Sequence, residues 1–306
     1  MKKMILMMTC LLFAIMLPKQ VDAATKVRIP DSACQQGNDI YYSYSMGGLR
    51  MNLMKVNKKT HKKKVVLSNK YKGKTTNGFF NLNIKGNYIY AGYDIQNGTD
   101  GSNGYICKIN LKKKTKKILT KGRSPVVIGK KIYFVRTKYN KNYFADEDKG
   151  IYVMNFSGKG IRKVCNIPSG GVYELGAAGN TLVYSSQKSF DKYIYKCISV
   201  KGKKLGKINA DSINRMNWNG GNDEKCTVGS KEYYVSGGRV ICWDQETQEQ
   251  TTLVRFGDEN INVNSFHVFG NVMIVRGTTG MKGYIYMIPL GGENTKILLK
   301  KYDVGE

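Results

Sequence analysis

The sequence predicts an all-β fold, a six-bladed β-propeller of four-stranded antiparallel blades, on three observations. Glycine turns recur at Gly37-Asn38, Gly86-Asn87, Gly129-Lys130, Gly179-Asn180, Gly229-Ser230 and Gly270-Asn271, spaced 49, 43, 50, 50 and 41 residues apart. A period of roughly 40–50 residues built from short strands is the signature of propeller blades. Each turn leads into an aromatic or β-branched run, and most runs are followed by a strand that closes on Asn or Asp. Tyr is frequent and Pro rare, 21 against 5 residues, as many strands joined by tight turns require.

The inner strand of each unit precedes its turn: Phe79 to Ile84, Pro125 to Ile128, Val172 to Ala177, Cys226 to Val228 and Ser265 to Phe269. The first unit takes its inner strand either from Val27 to Cys34 or from the C-terminal end. Second strands follow the turns, as in Ile40-Tyr41-Tyr42, Tyr88-Ile89-Tyr90, Ile132-Tyr133-Phe134, Leu182-Val183-Tyr184, Glu232-Tyr233-Tyr234 and Val272-Met273-Ile274. Third strands align as Leu53 to Asn57, Ile106 to Asn110, Ile151 to Asn155 and Val240 to Asp244, with Ile194 to Ile198 and Ile285 to Pro289 as looser copies. The closing Asn or Asp opens a hairpin, since its short polar side chain suits turn geometry. Outer strands end the units at Val65-Val66-Leu67, Lys117-Ile118-Leu119, Leu253-Val254 and Ile297-Leu298-Leu299. One such sheet cannot bury both faces, whereas six arranged radially bury each other.

Gly-Asn-aromatic strands followed by a Gly-Ile-Tyr-x-x-Asn strand resemble a group of bacterial secreted propeller domains of unknown function. These are similar to the YWTD-type propeller of low-density-lipoprotein-receptor-related proteins. The resemblance runs over nearly all of residues 30–300 and implies an exported propeller with no catalytic residue. Ile40-Tyr41-Tyr42-Ser43 and Ile89-Tyr90-Ala91-Gly92 stand where the YWTD tetrapeptide would be.

Residues 1–23 read as a secretory signal peptide: Lys2 and Lys3, an apolar stretch from Met4 to Leu17, then Val21 and Ala23 at a small-residue cleavage site. The stretch falls short of the roughly 20 apolar residues of a spanning helix, and no later segment is apolar enough to span. Residues 24–306 are expected to form one propeller domain, secreted or held at the cell envelope. Six cysteines remain: Cys34, Cys107, Cys165, Cys197, Cys226 and Cys242. They lie in strand-like runs on different repeats, which favours small buried hydrophobes over a disulfide framework and leaves their bonding open. No Cys/His metal spacing, P-loop or HExxH motif occurs, and neither cofactor nor metal is expected. Calcium at Asp94, Asn97, Asp100 and Asn103 lacks the EF-hand spacing.

The formal charge is +28, and +26 without residues 1–23, so the surface should attract polyanions. In an exported chain those are anionic envelope polymers, acidic glycans or anionic lipid; nucleic acid is not expected. Propeller topology puts the turn between strands one and two on the same face as the turn between strands three and four. That second turn carries Lys58, Lys59, Lys62, Lys63 and Lys64, then Lys112, Lys113, Lys114, Lys116 and Lys117, then Lys159 to Lys163, then Lys201, Lys203 and Lys204. Lys85, Lys130, Lys131 and Lys231 add to the face, while Asp244, Glu246 and Glu249 interrupt it. Taken singly, each run is a solvated hairpin that blunts an edge; four neighbouring runs form a basic arc suited to an extended anion.

The opposite face holds the loops between strands two and three, with Tyr139, Tyr143, Phe144, Asp146 and Phe190, while Trp218 lies in a connection toward an inner strand. These are candidate ligand loops for a protein or carbohydrate. His267 alternates with Phe266 and Phe269 as a packed core residue, and His61 sits within a lysine run. The leading reading is a non-enzymatic exported scaffold with a basic face. A carbohydrate-active enzyme using channel carboxylates among Asp94, Asp146, Glu147, Asp148, Glu174 and Asp191, and a protein-interaction module, stand as alternatives.

Overall fold

The computed structural model describes residues 27–46, 50–70, 78–96, 102–140, 145–167, 171–172, 174–189, 192–208, 225–257, 260–291 and 295–303. Every regular element among them is a strand. The first blade comprises β1 (Ala33–Gln36), β2 (Asp39–Met46), β3 (Arg50–Asn57) and β4 (Lys63–Lys70). The second holds β5 (Phe79–Lys85), β6 (Tyr88–Gln96), β7 (Ser102–Asn110) and β8 (Thr115–Lys121), and the third β9 (Arg123–Ile128), β10 (Lys131–Asn140), β11 (Ala145–Asn155) and β12 (Arg162–Cys165). The fourth is β13 (Leu175–Ala178), β14 (Thr181–Ser189), β15 (Lys192–Ser199) and β16 (Lys204–Ile208). The fifth is β17 (Lys225–Val228), β18 (Lys231–Ser236), β19 (Arg239–Asp244) and β20 (Glu249–Arg255), and the sixth β21 (Asn262–Phe269), β22 (Val272–Thr279), β23 (Lys282–Pro289) and β24 (Ile297–Asp303). Each blade is a four-stranded antiparallel sheet in chain order. The protein is a six-bladed β-propeller.

Six glycines make the entry to each second strand possible. Gly37, Gly86, Gly129, Gly179, Gly229 and Gly270 all have φ between 55° and 64°, the left-handed region that an L side chain disfavours. At five of them a Cβ would meet nothing within 4 Å, so backbone conformation and not space selects glycine there.

Second strands read as continuous apolar runs because neighbouring blades cover both faces. Ile40, Tyr41 and Tyr42 are all buried, as are Ile132 to Val135. Tyr41, Leu53 and Val66 pack on Phe79, Leu82 and Tyr93 between the first and second blades. Tyr90 and Ile106 meet Ile132, Phe134 and Met154 at the next junction. Val126, Tyr133 and Ile151 meet Leu175, Leu182 and Tyr184 between the third and fourth, and Tyr233, Val240 and Cys242 meet Phe266, Val275 and Tyr286 between the fifth and sixth.

The ring closes without exchanging a strand. The C-terminal strand β24 is the sixth blade's own outer strand, and β1 supplies the first blade's inner strand. Of the two alternatives for the first blade's inner strand the N-terminal one holds, although of the Val27 to Cys34 range only Ala33 and Cys34 are in that strand. Closure is by packing: Tyr42, Tyr44 and Met54 against Ile274, Met287, Leu299 and Tyr302. Lys63 Nζ adds hydrogen bonds to the β24 carbonyls of Leu298 (3.3 Å) and Leu299 (2.8 Å).

A second repeat lies in the outer strands. In all six blades the pairing of strands three and four shifts register by one residue, at Leu53/Met54, Ile106/Cys107, Ile151/Tyr152, Cys197/Ile198, Val240/Ile241 and Ile285/Tyr286. The extra residue is always aliphatic: Val66, Leu119, Val164, Leu205, Leu253 or Leu299. Each packs into an apolar cluster, and Val66, Leu253 and Leu299 are buried. A bulge bends a strand and increases its twist; here it directs an outer-strand side chain inward, whereas the preceding Val65, Ile118 and Leu298 face solvent.

Candidate functional site

Asparagine side chains build the hairpins that carry the lysines. Asn57 Oδ1 accepts the amides of Lys59 and Thr60 at 3.1 and 3.0 Å, and Asn110 Oδ1 those of Lys112 and Lys113 at 3.1 and 2.9 Å. Asn155, Ser199 and Asp244 repeat the arrangement with Ser157 and Lys159, Lys201 and Lys203, and Glu246. In four blades the hairpin also hydrogen-bonds the neighbouring glycine turn through its backbone. Lys58 N donates to Asn38 O at 2.8 Å, Leu111 N to Asn87 O at 3.0 Å, Gln245 N to Ser230 O at 2.8 Å and Leu290 N to Asn271 O at 2.9 Å. These bonds fix both kinds of turn on one face.

On that face Lys59, Lys62 and Lys64 of the first blade are exposed, as are Lys112, Lys113, Lys114 and Lys117 of the second and Lys203 and Lys204 of the fourth. Lys85, Lys130, Lys131, Lys159 and Lys163 are exposed between them. Three lysines of the runs are placed differently. Lys58 is half-buried and reaches the Gly270 turn of the sixth blade. Lys63 is engaged at the β24 carbonyls. Lys116 turns inward, its ammonium 3.5 Å from the centre of the Tyr93 ring, and burial lowers its pKa to about 8. Strand alternation explains this: Lys117 faces out, so its neighbour faces the blade. Acids moderate the arc at Asp39, which pairs with Lys55, and at Asp244, 3.9 Å from Lys231.

Tyr143, Phe144, Phe190 and Trp218, like Asn97, Asp100 and Asp191, lie outside the described residues. Tyr139 is half-buried near the end of β10. Asp146 is an inter-blade clamp: its Oδ2 accepts from Gly104 N of the second blade and Thr137 Oγ1 of the third, both at 3.1 Å. Its Oδ1 is buried without a hydrogen bond. Asp94 stands nearby, and burial together with the Asp146 charge pushes its pKa up from 3.8 to about 6, against the pull of Arg123. Asp148 takes two bonds from Arg123, Nε at 3.0 Å and Nη2 at 2.6 Å, and one from Val172 N at 2.8 Å. Arg123 Nη2 also donates to Val172 O, tying the third blade to the chain that enters the fourth. Arg123 was not singled out from sequence; its place at the start of an inner strand, opposite an acidic loop, was the available signal. Glu147 pairs with Lys149 at 2.5 Å and accepts from Asn140, and Glu174 accepts from the Tyr195 hydroxyl at 2.8 Å.

His267 is a buried residue of β21, its Nε2 3.1 Å from Asp31 Oδ2. Residues 27–32 run through the centre of the ring, and beside them lies a cavity of about 210 Å³ bounded by Arg28, Asp31, Gln35, Leu82, His267 and Phe269. The six cysteines are free thiols, five of them buried. Burial raises the Cys107 pKa to about 12 and that of Cys197 to about 11. No group of three or more His, Cys, Asp or Glu among the described residues is arranged to hold a metal ion. No helix among them is long and apolar enough to cross a membrane.

The chain is a six-bladed propeller whose hairpins and glycine turns carry exposed lysines. No protein-family model matches the chain, and no curated protein does. Solved structures share the fold at low identity. A puromycin-hydrolyzing peptidase of Mycobacterium tuberculosis is 10% identical with a TM-score of 0.55, over 91% of this chain and 53% of that one. TolB from Acinetobacter baumannii is 14% identical with a TM-score of 0.49, over 87% and 65%. A chain of the nidogen/laminin complex is 12% identical with a TM-score of 0.45, over 86% and 93%. The chain thus spans about half the length of the peptidase and about two thirds of that of TolB, and the likeness concerns the fold.

Proposed function

We propose that this protein is an exported, non-enzymatic binding propeller, held through its lysine face to an anionic polymer or acidic glycan of the cell envelope, with the opposite loops left for a protein or carbohydrate partner. The observation that carries this reading is the backbone bonding of the hairpins to the glycine turns. In the first and in the second blade it sets the lysine hairpin beside that blade's own glycine turn, so that each blade presents exposed lysines at the same end of its sheet. With screening lengths of about 8–10 Å at physiological salt, an extended polyanion can touch several hairpins at once while a compact anion touches one. The non-enzymatic part is supported by the employment of Asp146, Asp148, Glu147 and Glu174 in holding blades and loops together.

The test is binding of the processed chain to purified anionic envelope polymer, with Lys59, Lys62, Lys112 and Lys113 replaced together by Glu. Binding should fall at least about tenfold, as expected when several weak contacts are lost together. Unchanged binding refutes the basic-face reading. Turnover of an acidic polysaccharide by the same preparation would put the carbohydrate-active alternative ahead of the scaffold reading.

A further inference from the structure

Residues 27–32 belong to no blade. Arg28 pairs antiparallel with Ala177 through two backbone hydrogen bonds of 2.7 and 2.9 Å, adding a short strand to the channel edge of β13. Val27 and Ile29 are buried against Ala178, Val183, Tyr195 and Cys197 of the fourth blade. Arg28 Nη2 donates to Val127 O of the third blade at 3.0 Å. Asn81 Nδ2 and Leu82 N of the second blade donate to Pro30 O and Asp31 O, both at 2.6 Å. Asp31 meets His267 of the sixth blade, and Ser43 N of the first donates to Ser32 O at 2.9 Å. Six consecutive residues therefore touch five of the six blades.

The named strands of all six sheets begin at Ala33, so the segment adds its bonds to Ala177 and Ser43 beyond blades that are already four-stranded. Gly176 shows that the fourth blade is shaped for the segment. Its backbone is not in the left-handed region, yet a Cβ there would lie 2.8 Å from Ile29 Cγ1 and 2.9 Å from Arg28 O. Glycine at 176 answers a need for space and not for conformation. Because Arg28 runs antiparallel to β13, and β13 leads into the Gly179 turn, the Val27 end of the segment points toward the lysine-bearing face.

We propose that residues 27–32 form a separable strap that takes the place of strand exchange as the clasp of the ring and shuts the central channel, so that its withdrawal opens the channel while the blades stay folded. The cavity of about 210 Å³ beside the strap is the part of the channel left unfilled when the strap is seated. Two native thiols report on seating. Cys34 borders that cavity and Cys197 packs in the strap's own cluster, whereas Cys107, in the same apolar cluster as Cys34, does not line the cavity, and Cys226 and Cys242 are buried between the fifth and sixth blades.

Two variants evict the strap by different means: Gly176→Val through overlap with Ile29, and Ile29→Asp through a charge placed where the side chain is 6% exposed. Maleimide labelling followed by peptide mass mapping reads each cysteine separately. In both variants Cys34 and Cys197 should label about tenfold or more faster than in the parent chain, with Cys107, Cys226 and Cys242 as protected as before, the pattern of a local opening. Continued protection of Cys34 and Cys197 in both variants would show that the strap does not cover the channel. Labelling of all five together, with loss of the sheet circular dichroism, would show that it is an inseparable part of the fold. Either result overturns the proposal.

Discussion

Lys58 donates its backbone N–H to the carbonyl oxygen of Asn38 at 2.8 Å, joining the lysine hairpin of the first blade to its glycine turn. The second blade repeats the bond between Leu111 and Asn87 at 3.0 Å. What looks in the sequence like scattered charge is thus ordered by backbone geometry, and the hairpin asparagines maintain that order.

Replacing Asn57 or Asn110 by Ala removes two amide bonds from a hairpin. Each change should cost about 2 kcal/mol, at about 1 kcal/mol net for each of the two bonds, and the double variant about twice that, since the sites lie on different blades. Urea denaturation checks this. A cost near zero for both would mean that the side chains do not hold the turns.

The outer-strand bulge predicts opposite fates for adjacent leucines. Leu299 is 2% exposed and packs between the sixth and first blades, whereas Leu298 is 45% exposed. Leu299→Ala should destabilise by about 2–4 kcal/mol through lost burial and a cavity; Leu298→Ala should change stability by less than about 0.5 kcal/mol. Equal effects would place the bulge elsewhere.

The fold was legible because its determinants are local and repeated: a left-handed turn needs Gly at each unit, and a sheet covered on both faces needs unbroken apolar runs. The third-strand asparagines could be read for the same reason. The strap was not legible, since Val27-Arg28-Ile29 has the pattern of any short strand and the partners of Arg28, Pro30 and Asp31 lie 51 to 236 residues away. Nor were the bulges, because Val65-Val66-Leu67 and Ile297-Leu298-Leu299 do not reveal which apolar residue is the extra one. That lysine hairpins and glycine turns meet at one end of a blade followed from topology, but the inward turn of Lys116 depends on one step of strand register. Asp94, read as a loop acid, a calcium ligand or a candidate channel carboxylate, owes its raised pKa to burial and then to Asp146 on another blade.

Asp94 gives a pH dependence of known sign. Its pKa rises on folding from 3.8 to about 6, so between those values the folded chain holds a proton that the unfolded chain has released. Stability therefore falls as pH rises through that window, by up to about 3 kcal/mol, and the cost persists above it. Asp94→Asn should leave stability nearly unchanged below pH about 4 and raise it above pH about 6. The difference between the variant and parent denaturation curves across pH isolates this group from the other carboxylates. A difference independent of pH would show that Asp94 ionises as freely as an exposed acid.

Lys116 separates the working lysines from the structural ones. It stacks on Tyr93 and is half-buried, so Lys116→Met should leave polymer binding within about twofold, as for a group that makes no contact with the ligand. Loss of binding on the scale of the fourfold hairpin charge reversal would mean that the inner lysine is available after all.

Co-sedimentation of the processed chain with purified cell envelopes, over a salt series and before and after anionic polymers are stripped, tests the basic face most directly. Attraction between exposed charges fades as the screening length shortens from about 10 Å at 0.1 M to 3 Å at 1 M salt. Release on raising salt, and loss of binding to stripped envelopes, are the predicted results. Binding that persists through both treatments would contradict a role for the lysine face and place the contact on the opposite loops.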